Sequence, residues 1–231
     1  DLNIATVAYY RELGYLPDAL INYLVRLGWS LDAETEFIRP ETIKEHFSLD
    51  RVTKAAGNFD PQKLYWLQGE YMKLLPTAEK VEKSIPYLRR AKLIGDDLDD
   101  RTRATLTAVV DAAGERVKLF SDVLAFAAPF LKATPDYDPK AVDKALKAPG
   151  AADQLRGFRA VLAAADPFDP PTLEKALHDH ATATGTKSKT LVAALRVAVT
   201  GSTVGFGLYE SVALLGRDEA LRRVDHALTL A

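Results

Sequence analysis

The chain is divided into short amphipathic segments of helical period, many of them bounded by Gly, Pro or an Asp-Pro pair. Ile4, Val7, Ala8 and Leu13 fall near helical spacing behind Asn3, a capping residue type, and Gly14 breaks the run. Pro17 suits a first helical turn. Leu16, Leu20, Tyr23, Leu24 and Leu27 then form one stripe up to Gly28, with Trp29 behind it. Residues 40–47 and a short turn over 49–53 come next. Asp60-Pro61 is a cap followed by Pro at the first helical position, and it opens a stripe of Leu64, Tyr65, Leu67 and Tyr71 beside Trp66. Thr77 opens another helix, which Pro86 is expected to interrupt. A long helical stretch is predicted over about 99–131. Gly114 weakens it by about 1 kcal/mol relative to Ala and marks a bend.

Beyond Pro135 the same signals recur. Asp138-Pro139 starts a helix that Pro149-Gly150 ends. Residues 152–165 form another, and Asp169-Pro170-Pro171 starts one that stops near Gly185. Helices over 187–199, 208–214 and 217–228 finish the chain, with a Gly-rich turn over 201–207. No segment alternates with period two for long, and no Asn-Gly hairpin occurs. The pattern predicts an all-α fold, built of orthogonal helix groups in an elongated array of two to three subdomains. Thr134-Pro135 makes 132–138 the expected boundary.

Composition narrows the chemistry. With 231 residues, 48% hydrophobic and 27% charged, the chain has an ordinary globular balance. Lys+Arg 30 against Asp+Glu 32 gives a net charge of −2, which excludes a polybasic coat protein but not a local basic face. The absence of Cys removes disulfides, thiolate metal sites and a Cys nucleophile, and it fits a reducing compartment. No apolar run reaches the roughly 18 residues of a membrane span, and the first residues show no basic-then-apolar pattern of the signal-peptide kind. The chain starts at Asp1 rather than Met, so it is expected to be a piece of something longer.

Catalytic and metal candidates are weak. His178 and His180 are i and i+2 on a helix, about 200° apart, so they cannot share an ion. Asp96, Asp97, Asp99 and Asp100 lack the Gly and distal Glu of a calcium loop and read as a helix start. Gly201, Gly205 and Gly207 follow no strand and precede no Lys-Ser or Lys-Thr, so they form no dinucleotide or phosphate loop. No catalytic residue and no metal site is assigned. Basic groups are more suggestive. Lys187, Lys189 and Arg196 fall within 182–203, a stretch without acids. Arg116 and Lys118 share one segment, and Arg89, Arg90 and Lys92 another. Such local groups suit a phosphate backbone.

Three segments carry a resemblance. The first is Tyr9-Tyr10-Arg11-Glu12-Leu13-Gly14-Tyr15-Leu16-Pro17-Asp18-Ala19-Leu20-Ile21-Asn22-Tyr23-Leu24, with Leu27-Gly28-Trp29-Ser30 behind it. The second is Phe59-Asp60-Pro61-Gln62-Lys63-Leu64-Tyr65-Trp66-Leu67-Gln68-Gly69-Glu70-Tyr71. The third is Leu195-Arg196-Val197-Ala198-Val199-Thr200-Gly201, followed by Gly207-Leu208-Tyr209-Glu210 and Leu214-Leu215-Gly216. In order and spacing they resemble the C-terminal, tRNA-binding half of bacterial-type glutamyl-tRNA synthetases.

The resemblance implies a stem-contact helical region over 1–75 and two anticodon-binding subdomains, 76–132 and 133–231. It implies tRNA as partner, a cytoplasmic monomer, and a parent class I ligase that joins glutamate to tRNA with ATP and Mg. The adenylate chemistry belongs to a fold upstream of Asp1. Its His-Ile-Gly-His-like and Lys-Met-Ser-Lys-Ser-like motifs are missing here, and Lys187-Ser188-Lys189-Thr190 is a partial look-alike in the wrong place. This chain alone is expected to hold no cofactor.

Two sites carry over by position. Glu115-Arg116-Val117-Lys118 resembles the family's Glu-Arg-x-Lys, whose Arg reads the third anticodon base. The turn Gly205-Phe206-Gly207-Leu208 falls where many members have Ser/Thr-Pro-Gly-Leu, which contacts the first two bases. Here Phe206 replaces the Pro, as either a base-stacking ring or a core plug. Lys187, Lys189 and Arg196 are candidates for the tRNA backbone. The alternative reading is a non-catalytic helical module that binds RNA or protein. A glutaminyl enzyme fits less well, because its C-terminal region is β-barrel.

Overall fold

The structure is a computed structural model that describes residues 6–54 and 57–231. Among the described residues it is all-α, with no strand. Asn3 and Ile4 lie outside the described residues. Contacts divide the chain into two compact units: Asp1–Arg90 with Gly114–Val123, and Ala91–Ala113 with Leu124–Ala231. The expected breaks after residues 75 and 132 describe functional regions, and these units are a division by packing. The chain enters the first unit twice, and the second visit is the segment around Arg116.

In the first unit, α1 (Val7–Leu13) ends at Gly14, whose φ of 94° is the left-handed conformation the C-cap requires. A Cβ there would lie 2.8 Å from the Phe120 amide nitrogen, so the glycine also allows a close backbone approach. Helix α2 (Pro17–Val25) starts on Pro17, α3 (Pro40–His46) on Pro40, and α4 (Pro61–Leu74) on Pro61. The Asp60 carboxylate accepts from the Gln62 and Lys63 amides, the cap its sequence predicts. Leu20, Tyr23, Leu64 and Leu67 form the core between α2 and α4, with Tyr10, Tyr15, Leu27 and Phe37 against it. Trp29, Ile38 and Ile43 form a second small core.

Helix α5 (Thr77–Arg90) runs unbroken through Pro86, against the expected interruption. Its buried residues Val81, Ser84, Ile85 and Leu88 straddle the proline, so packing on both sides outweighs one missing hydrogen bond. The expected long helix over 99–131 is also corrected. It is α6 (Asp100–Ala113), a 3-10 turn (Gly114–Arg116), a second 3-10 turn (Phe120–Asp122) and α7 (Val123–Leu131). Gly114 has φ 55°, so the predicted bend is a full helix stop.

In the second unit, α8 (Pro139–Ala141) continues as a π-helical turn (Val142–Leu146), capped by Asp138. It is followed by α9 (Ala151–Ala164), α10 (Pro170–Ala183), α11 (Ser188–Thr200), α12 (Leu208–Leu215) and α13 (Arg217–Leu228). Their apolar faces meet in one core around Leu155, Phe158, Leu177, Leu195 and Val224. Asp99, in the acidic cluster, accepts from the Thr102 amide at 2.6 Å and starts α6.

Candidate nucleic-acid interface

Arg116 ends the 3-10 turn that leaves Gly114. Val117 next to it is buried at 1% exposure, so the backbone is anchored while the arginine side chain stays in solvent. Among the described residues Arg116 makes no ion pair or side-chain hydrogen bond. Its neighbour Glu115 turns instead to Lys73, at 3.4 Å, and Lys73 also holds Glu70 at 2.9 Å. Hydrogen bonding to Glu70 pushes the Lys73 ammonium above its ordinary pKa, so it stays charged. A cleft of about 180 Å³ opens beside the turn, lined by Gly69, Met72, Lys73, Lys80, Glu115 and Val117.

The rest of the segment is held tightly. Gln68 is fully buried on α4. Its Oε1 accepts from the Leu16 amide at 2.9 Å, and its Nε2 donates to the Lys118 carbonyl at 2.8 Å. Asp122 Oδ2 accepts from the Lys118 and Leu119 amides at 2.9 and 2.8 Å. Ser121 Oγ donates to the Leu13 carbonyl at 2.7 Å. The Lys118 ammonium lies over the Tyr65 ring, 4.8 Å from its centre. Sequence reasoning missed Gln68 and Asp122, whose signal is only a polar residue on an apolar stripe and an Asp four residues past Lys118.

The second expected site is arranged differently. Phe206 is 2% exposed and stacks on Phe130, with ring centres 5.4 Å apart and planes 17° apart. Phe126 flanks it at 6.5 Å. Phe206 is therefore a core plug, and its ring is not open to a base. Leu208 is also buried. Gly205 is half-buried beside the Arg196 guanidinium, and the exposed part of the turn is Thr203-Val204.

Arg196 is half-buried, and its Nη1 donates to the Phe206 carbonyl at 2.7 Å. It holds the turn from within. Gly201 (φ 77°) starts the turn, and a Cβ there would fall 2.2 Å from the Asp136 carbonyl oxygen. Lys187 and Lys189 are exposed at the N-terminus of α11, and the turn leaves its C-terminus. At 1.5 Å per residue the 13-residue helix separates them by about 20 Å. The lysines and the turn are thus two places rather than one site. The helix N-terminus adds a positive end to the lysines and favours an anion there.

Comparison with known proteins places these features in a family. Residues 78–228 match the model of the anticodon binding domain, and residues 1–66 match that of the class I tRNA synthetase (E and Q) catalytic domain. A glutamate–tRNA ligase of Moorella thermoacetica is 36% identical over 222 residues, covering 96% of this chain and 45% of the relative. One of Nitratidesulfovibrio vulgaris is 38% identical over 224 residues, covering 97% and 47%. The crystal structure of a glutamate tRNA ligase from Elizabethkingia meningosepticum shares the fold with TM-score 0.81 at 24% identity, over 99% of this chain and 45% of that one. The chain thus spans a little under half the length of the relatives it matches. With the match at 78–228 covering more than half of its residues, the chain belongs to the anticodon-binding domain family.

Proposed function

We propose that this chain is the tRNA-binding and anticodon-recognition portion of a glutamate–tRNA ligase. The observation that carries the reading is Arg116, an exposed guanidinium with no ion partner among the described residues, on a turn held from two sides. An unstacked cytosine presents O2 and N3 as acceptors on its pairing edge, and the arginine fork supplies matching donors. Guanine presents N–H donors on that edge, which oppose the same fork. Glutamate and glutamine anticodons differ there, C against G.

The regions keep the proposed roles: 1–75 against the inner side of the tRNA, 76–132 and 133–231 toward the anticodon. Lys187 and Lys189 serve the phosphate backbone, and Gly205 with the exposed turn beside it faces the first two anticodon bases. Phe206 and Leu208 support that turn from beneath. We assign the ATP and Mg chemistry of such a ligase to the parent protein and not to this chain. Neither nucleotide-binding motif occurs, and among the described residues no group of three or more His, Cys, Asp or Glu could hold a metal. The same reading makes the parent a cytoplasmic monomer. No helix among the described residues is long and apolar enough to cross a membrane.

Arg116→Gln tests the reading. The wild-type chain should bind an anticodon stem–loop with C in the third anticodon position more tightly than one with G. The variant should lose about tenfold of that preference, since a good bidentate base contact is worth roughly 1–3 kcal/mol. An unchanged ratio returns Arg116 to the ordinary surface.

A further inference from the structure

We propose that Gln68 and Asp122 are positioning residues that set the aim of Arg116. The inference deepens the Arg116 reading and rests on it. An exposed arginine side chain loses much rotamer freedom on binding, and a base contact is selective only when its backbone origin is fixed. Arg116 has little local structure to fix it. It follows a glycine in the left-handed region and lies on a three-residue 3-10 turn, where hydrogen bonds are poorer than in an α-helix. Its backbone is fixed from the far side, at residues 117–122.

Two independent clamps close on Lys118. Gln68 donates to its carbonyl, and Asp122 accepts from its amide. Gln68 also accepts from the Leu16 amide just before α2, so one buried side chain ties the turn to α4 and to the start of α2. The amide is well chosen for this task. It is neutral, so burial costs little once both ends are paired, and it offers a donor and an acceptor in one plane. Gly69 beside it leaves room for the Lys118 stem, whose carbons pass 3.5 Å from where a Cβ would stand. Val117 is fixed between the clamped residue and the arginine.

The two residues are reached by different variants. Gln68→Met keeps volume and helix propensity but removes both hydrogen bonds. Asp122→Ala removes the second clamp on the half-buried side of the turn. Each is assayed as the 231-residue chain, with Tm followed, against the C and G stem–loops over a range of salt. The expected result is a fall in the C-over-G preference of about tenfold, the same loss expected when the Arg116 base contact itself is removed. The salt slope should not move, because no phosphate contact is lost. In an Arg116→Gln background neither change should alter the preference further, as residues acting through one contact are non-additive.

If Gln68→Met and Asp122→Ala weaken both stem–loops equally, their role is structural and the proposal fails. It also fails if Arg116→Gln removes the preference while the other two keep it. If Arg116→Gln itself leaves the preference intact, the Arg116 reading fails first and this inference with it. If Gln68→Met does not fold, Asp122→Ala decides by the same criteria.

Discussion

In the first unit the backbone around Lys118 is held by a neutral amide and a short carboxylate, and the arginine two residues away is left in solvent. In the second unit the arginines themselves hold the backbone. Arg196 donates to the Phe206 carbonyl. Arg223, 2% exposed, gives Nη1 to the Pro129 and Val199 carbonyls at 2.7 Å each, Nη2 to the Lys132 carbonyl at 3.1 Å, and Nε to Glu219 at 2.6 Å. Those carbonyls lie at the C-terminal ends of α7 and α11, where helix groups lack internal partners and a cation is favoured. The same residue type is thus left in solvent at Arg116 and braces backbone at Arg196 and Arg223, as it also does at Arg51 of the first unit, whose Nη2 donates to the Ser30 and Leu31 carbonyls. What separates the two roles is the number of unsatisfied carbonyls within reach. A guanidinium with five donors goes where several acceptors converge, and a single carbonyl needs only an amide.

The largest expected effect breaks the bracing side of this comparison. Arg223→Met should destabilise the second unit by about 3–5 kcal/mol, because it leaves three carbonyls without their partner and Glu219 with Arg222 alone. Hydrogen exchange should quicken at α7, α11 and α13 while α2 and α4 keep their protection. Equal loss in both units would mean that they unfold as one.

A smaller effect concerns Glu219. Hydrogen bonding to Arg222, then to Arg223, holds its carboxyl down at about 2 against an ordinary 4.5. A depressed folded pKa contributes stability that is complete above the unfolded value and disappears as pH falls through the folded one. Glu219→Gln should therefore flatten the acid limb of the second unit between pH 4.5 and 2, read as Tm against pH. An unaltered limb would place the acid sensitivity on other carboxylates.

The smallest effect is on the exposed lysines. Lys187→Ala with Lys189→Ala should leave Tm unchanged and reduce the salt slope of tRNA binding by roughly 1–2. A slope identical to wild type would return both to the ordinary helix surface. Together the three measurements ask whether bracing cations carry stability and free cations carry binding.

Much of the local structure was legible in the sequence. Asp60, Asp138 and Asp169 cap the helices that their Asp-Pro pairs announce, and Gly14, Gly114 and Gly201 take positive φ where each run was expected to break. These are short-range effects, set by a side-chain oxygen reaching an amide two or three residues on, or by the lack of a Cβ. The continuity of α5 through Pro86 was not legible, because it depends on contacts made by Val81, Ile85 and Leu88. The role of Phe206 was not legible either. A phenylalanine in a glycine turn reads equally as a stacking ring or a plug, and only Phe126 and Phe130 decide it.

The sequence by itself determined the all-α class, the helix starts that the Asp-Pro pairs announce, and the family motifs. Periodicity and capping are properties of neighbouring residues, and motifs need no fold to be seen. Tertiary structure alone decided which arginine is free. Arg116, Arg196 and Arg223 look alike as letters, and they differ in how many carbonyls the packed helices bring within about 3 Å of each guanidinium. That number comes from residues 10 to 94 positions away in the chain, beyond the reach of any local pattern.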